Sequence, residues 1–275
     1  MSLTLRSVPP AQGPLWVRDG FRLFGKHPLH FSLLFVVFLA ALVVSSIVPL
    51  AGAIVMLAAV PMLSLGFMVA SESALQGGPI HPGQYLVPLK GDGGKRRSLL
   101  VLCAAYAGVT LAILLLSDWI DGGTFEQLQR AMAKDGDSRE MQALLADPRL
   151  QLGMAVRLGL GALVSVPFWH APALVHWGAQ PPAQALFSST LAVWRNKGAF
   201  LTYTLAWCAV VGVFGLVTGS ALTLLGLGQL LPVVALPAGL IFTTVFYVSL
   251  LFTFNDCFGG SPVVTDDDVA TQPGP

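Results

Sequence analysis

The residues from 29 to 71 read LHFSLLFVVFLAALVVSSIVPLAGAIVMLAAVPMLSLGFMVAS and contain no aspartate, glutamate, lysine or arginine. A helix needs about 20 mostly apolar residues to cross a membrane, so this run is long enough for two helices. Near its middle stands Pro49-Leu50-Ala51-Gly52, and proline with glycine marks a chain reversal. We therefore predict two transmembrane helices over 29–50 and 51–71, joined by a tight hairpin.

The composition of the whole chain agrees with this local pattern. Its 275 residues are 55% hydrophobic and only 11% charged, and the mean hydropathy is +0.73. A soluble globular chain carries about 25% charged residues. The deficit excludes a soluble enzyme, a disordered protein and a free nucleic-acid binder, and it indicates that lipid is the solvent.

Four further apolar runs are long enough to cross a membrane, over 99–117, 158–178, 200–225 and 231–254. Because a membrane-spanning backbone must satisfy its own hydrogen bonds, each run is predicted to be a helix. The predicted fold class is an all-α, polytopic membrane helical bundle of six transmembrane helices, forming one domain over 1–258. The acidic, proline-containing residues 259–275 are predicted to be a disordered tail.

Lysine and arginine are concentrated in the connections on one side of these six helices. Ten of the 15 basic residues lie there, and the short turns on the other side have none. Half of the 14 acidic residues lie in 118–150, which is predicted to be an outer helical cap. Because cytoplasmic loops are rich in lysine and arginine, we predict an inner-membrane protein with both termini cytoplasmic.

A short motif of proline, a small residue and glutamine recurs before three of the apolar spans, and basic residues follow it each time. The three copies are Pro10-Ala11-Gln12, Pro82-Gly83-Gln84 and Pro182-Ala183-Gln184. We predict that each opens an interfacial helix, over 10–27, 82–97 and 182–197, which lies against anionic lipid headgroups. The chain then consists of three units, each an interfacial helix followed by a helical hairpin.

Few residues suggest chemistry. The sequence carries no metal-binding or nucleophile motif of known spacing, so no catalytic residue, metal or cofactor is expected. Ionisable and polar residues in or near the spans are the remaining candidates for a substrate or proton site at the cytoplasmic mouth. The alternative is that they are interface residues, wetted by water and paired for structure. They are Glu72, His170, His176, Arg195, Asn196, Lys197 and Asp256.

His170 differs from the others because it lies between Pro167 and Pro172, inside the fourth span. Each proline frees a backbone carbonyl that neighbouring groups must satisfy. The imidazole is therefore interpreted first as a donor that stabilises the kink, and second as a proton relay or ligand contact. Small-residue ridges such as Gly66-x-x-x-Ala70 and Gly215-x-x-x-Gly219 predict close helix packing, either within the chain or in a homo-oligomer.

Several segments resemble a family of uncharacterised proteobacterial integral membrane proteins. The matching segments are Trp16–Pro28, Phe168–Leu174, Trp194–Phe200 and Asp256–Phe258. The likeness extends over most of 9–258 and implies an inner-membrane protein. It supplies no catalytic residues.

Two functional hypotheses follow. The first is a non-enzymatic scaffold, accessory or lipid-organising protein, whose partners are membrane lipids, a second copy or another membrane protein, and not nucleic acid. The second is a transporter of a small or lipophilic solute with its site at the cytoplasmic mouth. A polar cavity around His170 favours the transporter, and a dry, packed core there favours the scaffold.

Overall fold

The computed structural model describes residues 3–48, 51–90, 92–133 and 138–259, and every regular element among these residues is helical. The α-helices are α1 (Gln12–Lys26), α2 (Pro28–Ser45), α3 (Ala51–Leu75), α4 (Gly93–Asp121), α5 (Thr124–Ala133), α6 (Ser138–Leu145), α7 (Pro148–Phe168), α8 (Ala171–Gly178), α9 (Pro182–Arg195), α10 (Lys197–Leu224) and α11 (Leu231–Phe258). The predicted all-α class is confirmed. The predicted tail, apart from Gly259, lies outside the described residues.

Six segments of the described chain are long and apolar enough to cross a membrane, which confirms the predicted number of spans. Helices α2, α3, α4 and α10 each form one, α7 and α8 together form another, and a short 3-10 turn with α11 forms the last. The fourth span is not the continuous helix that its length suggests. It is interrupted at Trp169 and His170, between α7 and α8.

The helices pack tightly at one end of the molecule only. This packed end consists of α1, α8, α9, the beginnings of α2 and α10, and the second halves of α3 and α11, which supply most of the buried apolar residues. Beyond it, no residue between 204 and 243 is buried. From 211 to 241, α10, the turn and α11 therefore carry mostly exposed apolar side chains, as a helix hairpin surrounded by lipid does.

Helix α1 is wedged into the packed end between α10 and α11. Its amphipathic pattern predicts a helix on the membrane surface, yet Trp16 is fully buried. Two glycines permit the close approach: a Cβ at Gly20 would lie 2.8 Å from the Ser249 Cβ, and one at Gly13 would collide with Ala199. The apolar face of α1 is thus covered by protein, whereas its sequence pattern predicts that this face meets lipid.

The other two predicted interfacial helices differ from each other. The stretch 82–97 forms two 3-10 turns, Pro82–Tyr85 and Val87–Leu89, and then the first residues of α4. Pro88 has no N–H to donate to a longer helix, which explains the interruption. The stretch 182–197 forms α9, which ends at Arg195, and α10 begins at Lys197.

The segment between the third and fourth spans contains α5 and α6, and polar contacts hold its ends together. Ser117 Oγ donates to the Gly153 carbonyl at 2.8 Å, and Arg157 donates to the Asp118 carboxylate at 2.6 Å. The Arg157 guanidinium also lies 4.0 Å from the centre of the Phe125 ring. These contacts fasten α4 to α7 at the end of the pair remote from α8.

The small-residue ridges are used unequally. Gly66 receives the Tyr85 ring so closely that any added Cβ would collide with it, and Ala70 is buried. Gly108, Gly215 and Gly219 have no atom within 4 Å of a hypothetical Cβ. Only the first ridge therefore provides close packing within the described chain.

Candidate functional site

The break between α7 and α8 is bridged by a hydroxyl from another helix. Ser189 Oγ of α9 accepts a hydrogen bond from the His170 N–H at 3.0 Å and donates one to the Val166 carbonyl at 3.1 Å. In an unbroken helix, that N–H would donate directly to that carbonyl, four residues earlier. Ser189 is thus inserted into the backbone ladder, an arrangement that kinks helices.

His170 has a different role from the one predicted. Its Nε2 lies 3.0 Å from Thr253 Oγ1, and Thr253 donates its own hydrogen to the Leu250 carbonyl at 2.8 Å. Nε2 is therefore the donor, and it donates to a side chain of α11. The imidazole therefore donates to the Thr253 hydroxyl and not to a freed backbone carbonyl, and Ser189 bridges the break.

The surroundings of the His170 ring are buried and aromatic. The side chain is fully buried, and the ring centroids of Phe200, Phe254 and Phe258 lie 5.4–5.9 Å from its own. The Nδ1 atom has no hydrogen-bond partner among the described residues. This environment is a packed core, which is the outcome that favours the scaffold hypothesis.

Asn196 holds the N-terminal segment against the packed end. Its side-chain oxygen accepts from the Val8 N–H at 2.8 Å, and its side-chain nitrogen donates to the Arg6 carbonyl at 3.1 Å. The Arg6 N–H in turn donates to the Cys257 carbonyl at 2.8 Å. Asn196 is only 2% exposed, so it fastens a structural strap and is closed to a solute.

Asp256 is also engaged by the packed end. Its carboxylate accepts a hydrogen bond from the Trp16 indole at 2.7 Å, which joins the end of α11 to the middle of α1. The Trp16 ring packs against Phe200 and Tyr203 of α10, with centroid separations of 5.3 and 5.8 Å. Trp16 therefore connects three helices, and Asp256 supplies the acceptor that its buried N–H requires.

Glu72 and His176 lie among a different set of contacts from Asn196 and Asp256. The Lys95 ammonium donates to the His176 carbonyl at 3.1 Å. Glu72 is half-buried, and the Trp177 indole is a neighbouring donor. The Trp177 ring packs on Phe254 at 5.2 Å. These contacts tie the ends of α3 and α8 to the start of α4.

Arg195 and Lys197 are exposed, on either side of the buried Asn196. Among the described residues, no hydrogen bond or ion pair joins the Glu72 and His176 group to Asp256 or Asn196. The described part of the chain also holds no cluster of three His, Cys, Asp or Glu residues that could bind a metal. The seven candidates therefore stand as separate structural contacts and one exposed basic pair.

Three residues that matter at the packed end were not singled out from the sequence: Trp16 as a donor, Ser189 and Thr253. One signal for Ser189 was present. Ala185, Ser189 and Ala192 recur at helical spacing and form the buried face of α9. A lone hydroxyl on such a small-residue face indicates a polar partner on the opposing helix. Thr253 carries no comparable signal, because its partner is 83 residues away.

A probable inner membrane protein of Burkholderia thailandensis is 32% identical to this chain over 260 residues, which make up 94% of each protein. The chain belongs to this family of inner membrane proteins. No family model matches the chain, and no solved structure matches it. The relative confirms the resemblance found in the sequence, and its printed name states a location and no activity.

Proposed function

We propose that this inner membrane protein is a non-enzymatic scaffold that organises anionic lipid at the membrane surface. The observation that supports the proposal is the exposed face of α9. This helix follows the fourth span, and it presents apolar and basic side chains away from the rest of the protein.

The two faces of α9 differ in their neighbours. Small residues face α7 and α8, and Ser189 among them bridges the broken span. Phe187 and Trp194 on the opposite face are 68% and 72% exposed, and Leu191 between them is 41% exposed. Their spacing of four and three residues places them on one helical stripe. A large apolar stripe left uncovered by protein fits the acyl boundary of a membrane.

Two basic residues continue this stripe. Arg195 ends α9 and Lys197 begins α10, and both are exposed. The Lys197 ammonium lies 5.6 Å from the centre of the Trp194 ring. Tryptophan prefers the headgroup level of a bilayer, and each basic residue near an anionic surface contributes about 1 kcal/mol of attraction. The pair is therefore suited to bind phospholipid phosphates.

We also infer that the packed end faces the cytoplasm. Support comes from the basic residues of α1, of the start of α4 and of the α9–α10 junction, which all belong to this side of the chain. Placed there, α9 would meet the anionic leaflet that attracts such residues.

A transporter of a small or lipophilic solute remains the second candidate, and the half-buried Glu72 beside Trp177 favours it. A transport site requires polar residues that converge on one cavity. The scaffold is preferred because His170 lies in aromatic packing and Asn196 and Asp256 are engaged by α1 and the N-terminal segment.

The test is the lipid that copurifies with the protein in mild detergent. The double variant with Arg195→Gln and Lys197→Gln is expected to retain less phosphatidylglycerol and cardiolipin than the wild type, with phosphatidylethanolamine unchanged. The matched control is Arg149→Gln, because Arg149 is exposed at the start of α7, far along the chain from α9. Equal anionic lipid in all three proteins, measured by mass spectrometry, would refute the proposal.

A further inference from the structure

A cavity of about 170 Å³ lies among α3, α4, α7 and α11. Its walls include Val60 of α3, Tyr106 of α4, Phe168 of α7 and Tyr247 of α11, together with Trp169 at the break. In α3, α4 and α11 the lining residues stand near the midpoint of the helix. A cavity at the middle of membrane-spanning helices is reached by hydrocarbon and not by lipid headgroups.

The walls are mainly apolar, with two serine and two tyrosine side chains among the lining residues. Two serines line the cavity, but Ser64 donates to the Pro61 carbonyl at 2.9 Å and Ser165 donates to the Ala162 carbonyl at 2.7 Å. Their hydroxyl hydrogens are thus used within their own helices, and much of the remaining wall is aromatic or aliphatic. An apolar cavity of about 150 Å³ stays dry and accepts a benzene-sized guest, so this one has room for a short length of hydrocarbon.

The cavity opens where two helices diverge. Helix α7 packs on α4 and α9, and α11 packs on α1 and α3, with little direct contact between α7 and α11. Leu158 of α7 is 67% exposed, and Leu240 of α11 is 40% exposed. The gap between the two helices is therefore bordered by exposed leucines.

We propose that this cavity is a binding site for the end of one acyl chain of a membrane phospholipid. The chain enters between α7 and α11 and ends against Phe168, Trp169 and Tyr247. The site is separate from the exposed face of α9, and neither depends on the other. It ties a lipid molecule to the broken segment, since Trp169 is itself part of the break.

The experiment uses the full chain in bilayers of phosphatidylethanolamine and phosphatidylglycerol, with a phospholipid that carries a diazirine at the end of one acyl chain. After photolysis, mass spectrometry is expected to find adducts on Phe168 and Tyr247. The variant Val60→Phe fills the cavity and should lose these adducts. The matched control, Val213→Phe, adds the same bulk at a position of α10 that is 60% exposed, and it should keep them.

Adducts at Leu216, which is 72% exposed on α10, report ordinary contact with the bilayer and should be equal in all proteins. They also show that Val60→Phe is inserted in the membrane, and a thermal unfolding midpoint close to that of the wild type shows that it is folded. A smaller filling variant, Ser165→Leu, should repeat the loss. Adducts on Leu216 without adducts on Phe168 and Tyr247 in the wild type would overturn the proposal, and so would cavity adducts that persist in both filling variants.

Discussion

Single polar side chains hold the packed end together, and each one connects two segments that the chain keeps far apart. Ser189 joins α9 to the broken fourth span, Asn196 joins the α9–α10 junction to the N-terminal segment, and Trp16 joins α1 to α11. Each is buried. A buried polar group that loses its partner costs more than the bond contributes in place, so these residues should be sensitive to substitution.

The variant Ser189→Ala should destabilise the protein, because it leaves the His170 N–H and the Val166 carbonyl without their bridge. The expected loss is about 1–3 kcal/mol in the free energy of unfolding, measured by denaturant titration in detergent micelles. Ser188→Ala is the matched control, since Ser188 is the neighbouring residue of α9 and is only partly buried. Equal effects of the two substitutions would show that the bridge contributes nothing.

The break in the fourth span is predictable from nearby residues, but the residue that bridges it is not. Pro167 and Pro172 predict a break, and the structure has one between Phe168 and Ala171. The group that bridges it is not predictable from these residues, because Ser189 reaches it only after the chain has reversed through α8 and α9. His170 was the nearest polar residue in sequence, but its ring points to Thr253. The local sequence therefore predicts the helix break, but not the side chain that bridges it.

At the scale of elements, the amphipathic pattern of α1 is compatible with two placements, on a bilayer surface or in a groove of the protein. An amphipathic helix must bury one face, and either a bilayer or a protein groove satisfies that requirement. The composition of α1 cannot distinguish the two. The deciding feature is the position of Gly13 and Gly20, which remove side chains where α10 and α11 approach.

Replacing Gly13 with alanine should therefore push α1 away from α10. An added Cβ would collide with the Ala199 carbonyl and the Thr202 hydroxyl, and overpacking of this kind costs about 1–3 kcal/mol. The matched control is Gly25→Ala in the same helix, where nothing lies within 4 Å, and alanine there should be neutral or stabilising. Thermal unfolding in detergent should separate the two variants, and a Gly13→Ala protein as stable as wild type would contradict the wedge.

The N-terminal strap gives a second prediction for an element. Asn196→Ala removes the hydrogen bonds that hold Val8 and Arg6, so trypsin should cleave after Arg6 faster than in the wild type. Asn255→Ala is the control, because Asn255 is partly buried and its side chain makes no hydrogen bond among the described residues. N-terminal sequencing of the products over time measures the rate. An unchanged rate in Asn196→Ala would mean that other contacts hold the strap.

For the whole molecule, the six spans are predictable because lipid leaves the backbone no other way to satisfy its hydrogen bonds. The unequal packing of the two ends of the molecule is not predictable in the same way. Residues 204–243 and the interior of the packed end are equally apolar, so hydropathy cannot say which of them meets protein and which meets lipid. That distinction depends on α1, whose place between α10 and α11 is a tertiary contact.

The orientation of the whole molecule can be tested by cysteine labelling. In a background without Cys103, Cys208 and Cys257, the variant Gln76→Cys places a thiol after α3, and Gln127→Cys places one in α5. Both positions are exposed. A membrane-impermeant maleimide added to spheroplasts should label position 127, and label position 76 only after lysis. The reverse pattern would invert the proposed topology.

The hairpin of α10 and α11 has a mechanical consequence. It is held at its base by α1, whose Phe21 ring reaches Trp207 and Phe242, and no residue from 211 to 241 is buried. A helix longer than the local hydrocarbon thickness adapts by tilting, at a modest cost. Because tilting this hairpin breaks few contacts with the remaining spans, it can follow a thinner or thicker bilayer while the packed end keeps its shape. The molecule thus combines a rigid base with a part that adjusts to membrane thickness.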